Sequence, residues 1–339
     1  MKVLITGGAG FIGANAAERF LGQGAAVTVV DDLSRPGAEK NLAWLEGKGD
    51  LAFHRVDIRD GAALADVVAG AGDLDLVLHL AGQVAVTTSV TDPRMDFEVN
   101  ALGTFNLLEA ARAAGVRAPI VFSSTNKVYG GMEDVGVVVR DRCYAYDGLP
   151  DGVPESRGLD FHSPYGCSKG AADQYVRDYH RIYGLNTVVF RQSCIYGYRQ
   201  FGFEDQGWIA WFTIAAQMGK PITVYGDGMQ VRDVLFVDDL IDAFEKAAEN
   251  IERTAGQVYN VGGGPSNVLS LIELLEHIER RLGASIPSAR DDWRPGDQRV
   301  YISDIRKAAA DFGWTPKISK TEGLERLYDW VAANRELFS

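Results

Sequence analysis

The stretch KVLITGGAGFIG, Lys2 to Gly13, runs an apolar β-branched segment straight into three glycines, Gly7, Gly10 and Gly13. That junction leaves the chain few folds. The apolar run reads as a buried strand, and each glycine serves a separate end: the first permits a tight turn, the second lets a diphosphate approach the backbone, and the third lets the following helix pack closely on the strand. The helix that opens here, running through Ala14 to Gly22, turns its N-terminal amides towards the phosphates. Eighteen residues beyond Gly13, Asp31 stands in the closing acids of VTVVDD, where a carboxylate can bond a ribose 2′-hydroxyl. Strand, glycine turn, helix, strand and terminal acid in that order predict a dinucleotide site.

The alternation continues down the chain. LDLVLHLAG follows a helical stretch, a helix is expected over about Met95 to Ala114, and APIVFSS reads as the next strand. A helix from about Tyr165 to Tyr183 and the strand NTVVFRQS follow. Strands such as VLIT, VTVV and LVLHL are apolar nearly throughout, as strands covered on both faces are. The expected class is α/β, a Rossmann doubly wound parallel sheet over residues 1–190, with a smaller C-terminal α/β substrate-binding lobe over residues 191–339. That lobe reads as a helix with WIAWFTIAAQM, a short strand PITVYG, a helix at Val237 to Asn250, the strand QVYNVGG and two late helices. VVFRQS and QVYNVG can both extend the main sheet. Between Gly130 and Phe161 the pattern stops, and residues 131–161 read as a structureless insertion, functional or mobile.

The net charge of −12, with no Lys/Arg-rich block, argues against nucleic acid or a membrane surface as partner, since both are polyanions. An anionic small ligand would need local arginines instead. Three cysteines, Cys143, Cys167 and Cys194, lack the close pairs of a zinc or redox-dithiol site, so no metal is expected and the thiols read as reduced, in a cytoplasmic protein. VLIT is too soon broken by glycine for a signal peptide or a membrane span, and no later apolar stretch is long enough to span.

On the cofactor side, Gly7, Gly10, Phe11, Ile12 and Gly13 form the turn, and Asp31, Asp32, Ser34 and Arg35 the ribose edge. Paired acids at Asp31 and Asp32 repel a 2′-phosphate, so NAD is expected over NADP; Arg35 is expected along the adenine or in solvent. Asp57 can reach the adenine amine or cap the next helix, with Ile58 beside it, and Leu80, Ala81 and Gln83 in HLAGQ allow close approach of the nicotinamide half. Tyr165 and Lys169 stand four residues apart, one helical turn. A phenol of ordinary pKa ~10 is a poor base at neutral pH, and a neighbouring cation can lower it by roughly 1–3 units, an effect to which a positive nicotinamide would add.

These features, with TGGAGFIG, FSSTNK, the EVNALGTFNLLEAA run containing Asn100, YGDGMQVRDVLFVDDL, YNVGGG, RPGDQR and FGWTPK, resemble the extended short-chain dehydrogenase/reductase family over nearly the whole chain. The resemblance is to its NAD-dependent nucleotide-sugar epimerases and dehydratases. It implies that Thr125 bonds the reacting sugar oxygen, that Tyr165 is the base, that Lys169 holds the nicotinamide ribose, and that Asn100 belongs to the cofactor site. It also implies that Arg232 and Arg294 clamp the substrate's diphosphate, as bidentate guanidinium chemistry suits. The family's dehydratases carry Asp-Glu after the threonine; this chain has Asn126 and Lys127, so elimination of water loses its acid and base.

SSTNKVYG, HLAGQVAVTTSVTDP, GLNTVVFRQS and RQFGFEDQGWIAWF resemble the branch that inverts C2 of a CDP-linked dideoxyhexose of the paratose and tyvelose type, with CDP-glucose as another possible substrate. NAD is then tightly bound and regenerated each turnover. Cys194 stands where relatives often place an asparagine after the FR motif, so Ser193 is a candidate substitute; Asn126, Gln206 and Trp208 are further substrate candidates, Trp208 equally a packing residue. The alternatives are a 4-epimerase acting on a UDP-glucose type sugar, a 4,6-dehydratase and a non-catalytic NAD sensor. A homo-oligomer, dimer or tetramer, is expected through helices matching Asn100 to Ala114 and Ser168 to Tyr183.

Overall fold

VLIT lies within the strand Lys2–Thr6, where Val3, Leu4, Ile5 and Thr6 have no solvent-exposed surface because the strand is mid-sheet and covered on both faces. Each aliphatic side chain so buried contributes roughly 1.5–3 kcal/mol relative to exposure. The computed structural model describes residues 1–202, 204, 206–293 and 297–338. Among them, seven parallel strands form the main sheet, in the spatial order Val258–Val261, Thr187–Gln192, Ile120–Thr125, Leu76–His79, Lys2–Thr6, Ala26–Asp31 and Leu51–Arg55. The Rossmann expectation therefore holds, and both VVFRQS and QVYNVG do join the sheet.

Register brings the carboxyl ends to one edge: Thr6 pairs with Val30 and His79, His79 with Phe122, and Thr125 with Gln192. The strand order reverses beside Lys2–Thr6, which opens the crevice where such sheets bind ligands. Two apolar layers cover the faces. The helices Phe11–Gly22 and Val237–Glu249 supply Ala14, Phe20, Leu240 and Phe244 to one. Leu64, Leu107 and Val176 from Gly61–Gly70, Gly103–Ala113 and Ser163–Tyr183 fill the other.

The expected helix over Met95 to Ala114 is not uniform. It runs as Pro93–Phe97, a π turn Glu98–Leu102, and Gly103–Ala113. One π turn inserts an extra residue without a break, a device common near functional sites.

The smaller lobe gathers Val231–Phe236 against Val268–Ser270, Val300–Tyr301 and Cys194–Tyr196, with Ile222–Tyr225 paired to Ser288–Asp291 nearby. Three late helices are present among the described residues rather than two: Leu271–Leu282, Arg306–Phe312 and Lys320–Ala333. The missed one spans seven residues, too short for a clear apolar stripe.

The insertion also departs from its structureless reading. Val137–Arg140 and Cys143–Tyr146 form an antiparallel hairpin whose turn residues, Asp141 and Arg142, both have positive φ, 48° and 67°. That is the twist a two-residue hairpin turn requires, made here without glycine. The Tyr146 hydroxyl donates to the Val300 carbonyl at 2.9 Å, the Val153 amide donates to the Ile302 carbonyl at 2.8 Å, and Tyr129, Tyr146, Val153 and Tyr301 share one buried cluster. The insertion thus anchors the segment after Thr125 to the smaller lobe. Among the described residues no helix is long and apolar enough to cross a membrane.

Candidate active site

The glycine turn is shaped by close approach. Gly7 has φ +70°, and a Cβ there would lie 2.6 Å from the Ala81 amide nitrogen; a Cβ on Gly13 would lie 2.1 Å from the Gly7 carbonyl oxygen. Gly10 caps the helix Phe11–Gly22 with no side chain over its first turn. Backbone there can meet an anion directly. A cavity of about 520 Å³ opens at this turn, lined by Gly7, Gly10, Phe11, Ile12, Gly13, Asp31, Asp32, Ser34, Arg35, Asp57, Ile58, Leu80, Ala81 and Gln83. A glycine cradle that a Cβ would fill, with a carboxylate at the end of the second strand, fits NAD.

Hydrogen bonds set the acids in place. Asp31 accepts from the Ala9 amide at 3.0 Å and the Leu33 amide at 2.8 Å; burial pushes its pKa up while those amides oppose the shift. Asp32 accepts from the amide and hydroxyl of Ser34. Asp57 grips Arg59 through both carboxylate oxygens, and the cap of the following helix is Asp60, which accepts from the Ala63 amide at 3.0 Å. Arg35 lies neither free in solvent nor alone: its guanidinium donates to Gln206, which also lines this cavity.

Thr125 ends its strand near the Tyr165 phenol; its hydroxyl donates to Asn126 Oδ1 at 3.3 Å and accepts from the Lys127 amide at 3.2 Å. Tyr165 is buried, and its pKa rises to about 12 because desolvation outweighs the opposing effect of the Thr125 hydroxyl. The Lys169 ammonium, 4.2 Å from the centroid of the Phe122 ring, is pushed down to about 7 by burial, with Asp173 and Asp96 opposing. The expected lowering of the phenol by its lysine is therefore corrected. Both groups are taken from water, and each resists its charged form.

Around this pair the structure places Asp96 and Asp173, which motif reading passed over, and Asn100, which it named for the cofactor site. Asp96, without exposed surface, accepts from Gln83 Nε2 at 2.8 Å and from the Ser168 hydroxyl at 2.5 Å. Asn100, on the π turn, donates to the Gln83 carbonyl and to Ser168, and accepts from the Gln83 amide. It stands one layer behind the cavity and fixes Gln83. Asp173 holds Arg191 at 2.9 and 3.0 Å and accepts from Ser124. The spacing of Lys169 and Asp173, one helical turn, is the signal in sequence that could have found it.

His79 links Thr6, at 2.7 Å from Nδ1, to Thr104, at 2.9 Å from Nε2. Thr104 donates to the Asn100 carbonyl, so it accepts from Nε2–H, which fixes the tautomer. Burial holds this imidazole neutral, its pKa down to about 3.

Substrate-side expectations divide. Asn126 is buried beside Thr125, and the Arg232 guanidinium donates to the Gln298 carbonyl at 2.8 Å. The Ser193 hydroxyl donates to the carboxylate of fully buried Asp233. Gln206, expected over the sugar nucleotide, is turned to the cofactor cavity by Arg35. Trp208 opens the helix Trp208–Gln217 and packs on Phe212 and the Cys194 thiol. Arg294 lies outside the described residues.

A doubly wound sheet with a glycine-cradled dinucleotide cavity and a buried Thr, Tyr and Lys set defines an NAD-dependent enzyme acting at a carbon that bears a hydroxyl. Residues 3–262 match the NAD dependent epimerase/dehydratase family, and the chain belongs to that family. It is 46% identical over 338 residues to a CDP-paratose 2-epimerase of Salmonella typhi, covering 98% of this chain and 100% of that protein. A solved UDP-glucose 4-epimerase of Thermotoga maritima with UDP-glucose is 31% identical with a TM-score of 0.84, covering 99% and 100% of the two chains. A dTDP-glucose 4,6-dehydratase of Streptomyces venezuelae with NAD bound is 30% identical, also with a TM-score of 0.84, covering 99% and 98%.

Proposed function

We propose that this chain, an NAD-dependent nucleotide-sugar epimerase, inverts C2 of a CDP-linked hexose of the paratose/tyvelose or glucose type. The observation that carries this reading is the content of the site: Thr125, Tyr165 and Lys169 beside the dinucleotide cavity, with Asn126 and Lys127 following Thr125 where an elimination would need a carboxylate pair. Such a set supports proton exchange at a hydroxyl and lacks the acid and base for expelling water. The choice of C2 and of cytidine is supported by the 46% identity to the CDP-paratose 2-epimerase, against 34% to a UDP-glucose 4-epimerase of Mycolicibacterium smegmatis.

NAD, when bound, supplies the hydride acceptor and donor and a positive ring near the phenol. Tyr165 reaches the phenolate only with positive charge beside it, and in that form it takes the proton of the C2 hydroxyl and gives it back once the keto sugar has presented its other face. Thr125 hydrogen-bonds the same oxygen and fixes its distance from the phenol. Lys169, in its protonated form, places a positive charge one turn from Tyr165 and holds the nicotinamide ribose. Asp31 holds the adenosine ribose, which favours retention of the cofactor through the cycle. Arg232, with Arg294, grips the diphosphate, because a sugar that must turn over needs firm contacts to its nucleotide and few to its ring.

Proton NMR of CDP-glucose, CDP-tyvelose and UDP-glucose, each incubated with purified protein without added NAD, tests this. Inversion at C2 of a CDP sugar is expected. Inversion at C4, or turnover of the UDP sugar alone, would assign the chain to the 4-epimerases; no turnover of any sugar would remove the substrate assignment.

A further inference from the structure

Ser168 stands on the helix Ser163–Tyr183 between Tyr165 and Lys169, and its hydroxyl donates to Asp96 Oδ2 at 2.5 Å. The other oxygen of that carboxylate, Oδ1, accepts from Gln83 Nε2 at 2.8 Å and from Asn100 Nδ2 at 3.2 Å. One side chain on the short helix Pro93–Phe97 therefore ties the helix of the reacting pair to the π turn and to Gln83, which lines the cofactor cavity. Gln83 is held further by its own neighbours: Nε2 also donates to the Ala85 carbonyl, and its backbone amide donates to Asn100 Oδ1 at 3.0 Å. Amide nitrogens only donate. Ser168 takes a hydrogen bond from Asn100 at 3.1 Å, and its own proton goes to Asp96 rather than to the more distant Tyr165 carbonyl at 3.2 Å. Every partner of the carboxylate thus offers it a proton, the pattern that suits its ionised form.

Asp96 has no exposed surface, and a buried carboxylate held by neutral donors needs a positive charge close by. Asp173, the other acid near the pair, already has one in Arg191, at 2.9 and 3.0 Å. For Asp96 the cation is Lys169. Its ammonium lies 4.2 Å from the Phe122 ring centroid and reaches the loop at Gly82, where a Cβ would stand 3.7 Å from Nζ and 3.0 Å from Asn100 Oδ1. Asn100, whose Nδ2 is on the carboxylate, therefore has its Oδ1 beside the point that the ammonium faces. Resting on the epimerase reading above but not on the carbon inverted, we infer that Asp96 is a positioning residue for proton transfer: it fixes the Tyr165 to Lys169 turn against the cofactor loop, and its buried negative charge keeps Lys169 protonated. Burial pushes Lys169 down to about 7, so its charge depends on the acids that oppose the shift, Asp173 and Asp96. The remaining charges around the pair are Arg35, felt at Tyr165, Lys127 on the 3₁₀ turn Asn126–Tyr129, and the neutral His79 stacked on Phe122. Glu98 on the π turn is taken up by Arg94 and Arg59, and Glu109 by Arg112 and Tyr179.

The pH profile of kcat in NAD-loaded Asp96→Asn tests this, with CDP-tyvelose, CDP-glucose or UDP-glucose, whichever the wild-type protein inverts. Removing a nearby negative charge lowers the apparent pKa of both Tyr165 and Lys169, whichever gives up its proton first. Both limbs of the profile should therefore move together to lower pH by about one unit or more, with turnover at about pH 8 down at least about ten-fold. KM should stay within about two-fold, because a positioning residue touches no substrate. Asp96→Glu keeps the charge and should leave both limbs in place. Should the Asn variant fold poorly, Asp96→Ser gives the same comparison. A lower rate with unmoved limbs in Asp96→Asn, a profile equal to wild type, or limbs displaced equally in Asp96→Glu overturns the inference. Inversion at C4 would remove the C2 reading and leave this one to stand or fall on the limbs. If wild-type protein inverts none of the three sugars, the substrate reading falls, and thermal unfolding of the NAD-loaded protein decides. Asp96→Asn should then lower the melting temperature more beside Lys169 than in a Lys169→Met background at about pH 6, and equally in both at about pH 9, where the amine is neutral. Equal losses at both pH values overturn it.

Discussion

At Tyr165 and Lys169, burial sets the resting state of the site: a neutral phenol raised to about 12 and an amine lowered to about 7. Tyr165→Phe keeps the ring and removes the proton acceptor, so turnover should fall at least about 10²-fold while NAD remains bound in the purified protein. Near-normal turnover would mean another base. Lys169 gives a prediction in stability. An ordinary lysine titrates near 10.5 and the folded one at about 7, so between those values the unfolded chain holds the extra proton and stability rises with pH. In NAD-free protein, Lys169→Met should therefore raise the melting temperature most below pH 7, with the gain shrinking as pH climbs towards 10.5. Thermal unfolding followed from pH 6 upward, in roughly unit steps, measures this, and a gain independent of pH would contradict it.

Among the elements, the glycine turn carries the least tolerance. Gly13→Ala places a methyl carbon 2.1 Å from the Gly7 carbonyl, forcing helix and strand apart, which should lower stability by about 1–3 kcal/mol or more and abolish NAD retention. Gly22, at the other end of the same helix, meets nothing within 4 Å, and Gly22→Ala should gain roughly 0.5–1 kcal/mol. Denaturant unfolding and the NAD content of each variant check both. The contrast explains what could be read from sequence. Strand, turn and helix at Lys2 to Gly22 are fixed by local chemistry, as are the buried strands and the Tyr165 to Lys169 spacing. The π turn around Asn100 changes hydrogen bonding by one residue without changing composition, and the Asp141–Arg142 turn adopts positive φ without glycine, so neither leaves a mark. The hydrogen-bond partners of Ser193 and Gln206, Asp233 and Arg35, lie 40 and 171 residues away in the chain and leave no local sign.

For the whole molecule, the helices Gly103–Ala113 and Ser163–Tyr183 present an apolar face to solvent. Phe97, Phe105, Tyr175, Ile182 and Tyr183 are exposed, and the Phe105 and Tyr175 rings already meet edge to face across 6.0 Å. A patch of this kind usually marks an interface, and a second copy of the chain is its expected partner. Sedimentation velocity should find a dimer or tetramer, and Phe105→Glu combined with Tyr175→Glu should yield monomer; a monomeric wild type would contradict the assignment. The central claim, that hydride leaves C2 and returns to the opposite face, is tested most directly by a CDP hexose carrying deuterium at C2. In ordinary water, without added NAD, the C2-inverted product should keep its deuterium. Loss of the label to solvent, or inversion at another carbon with the C2 deuterium undisturbed, would contradict the account.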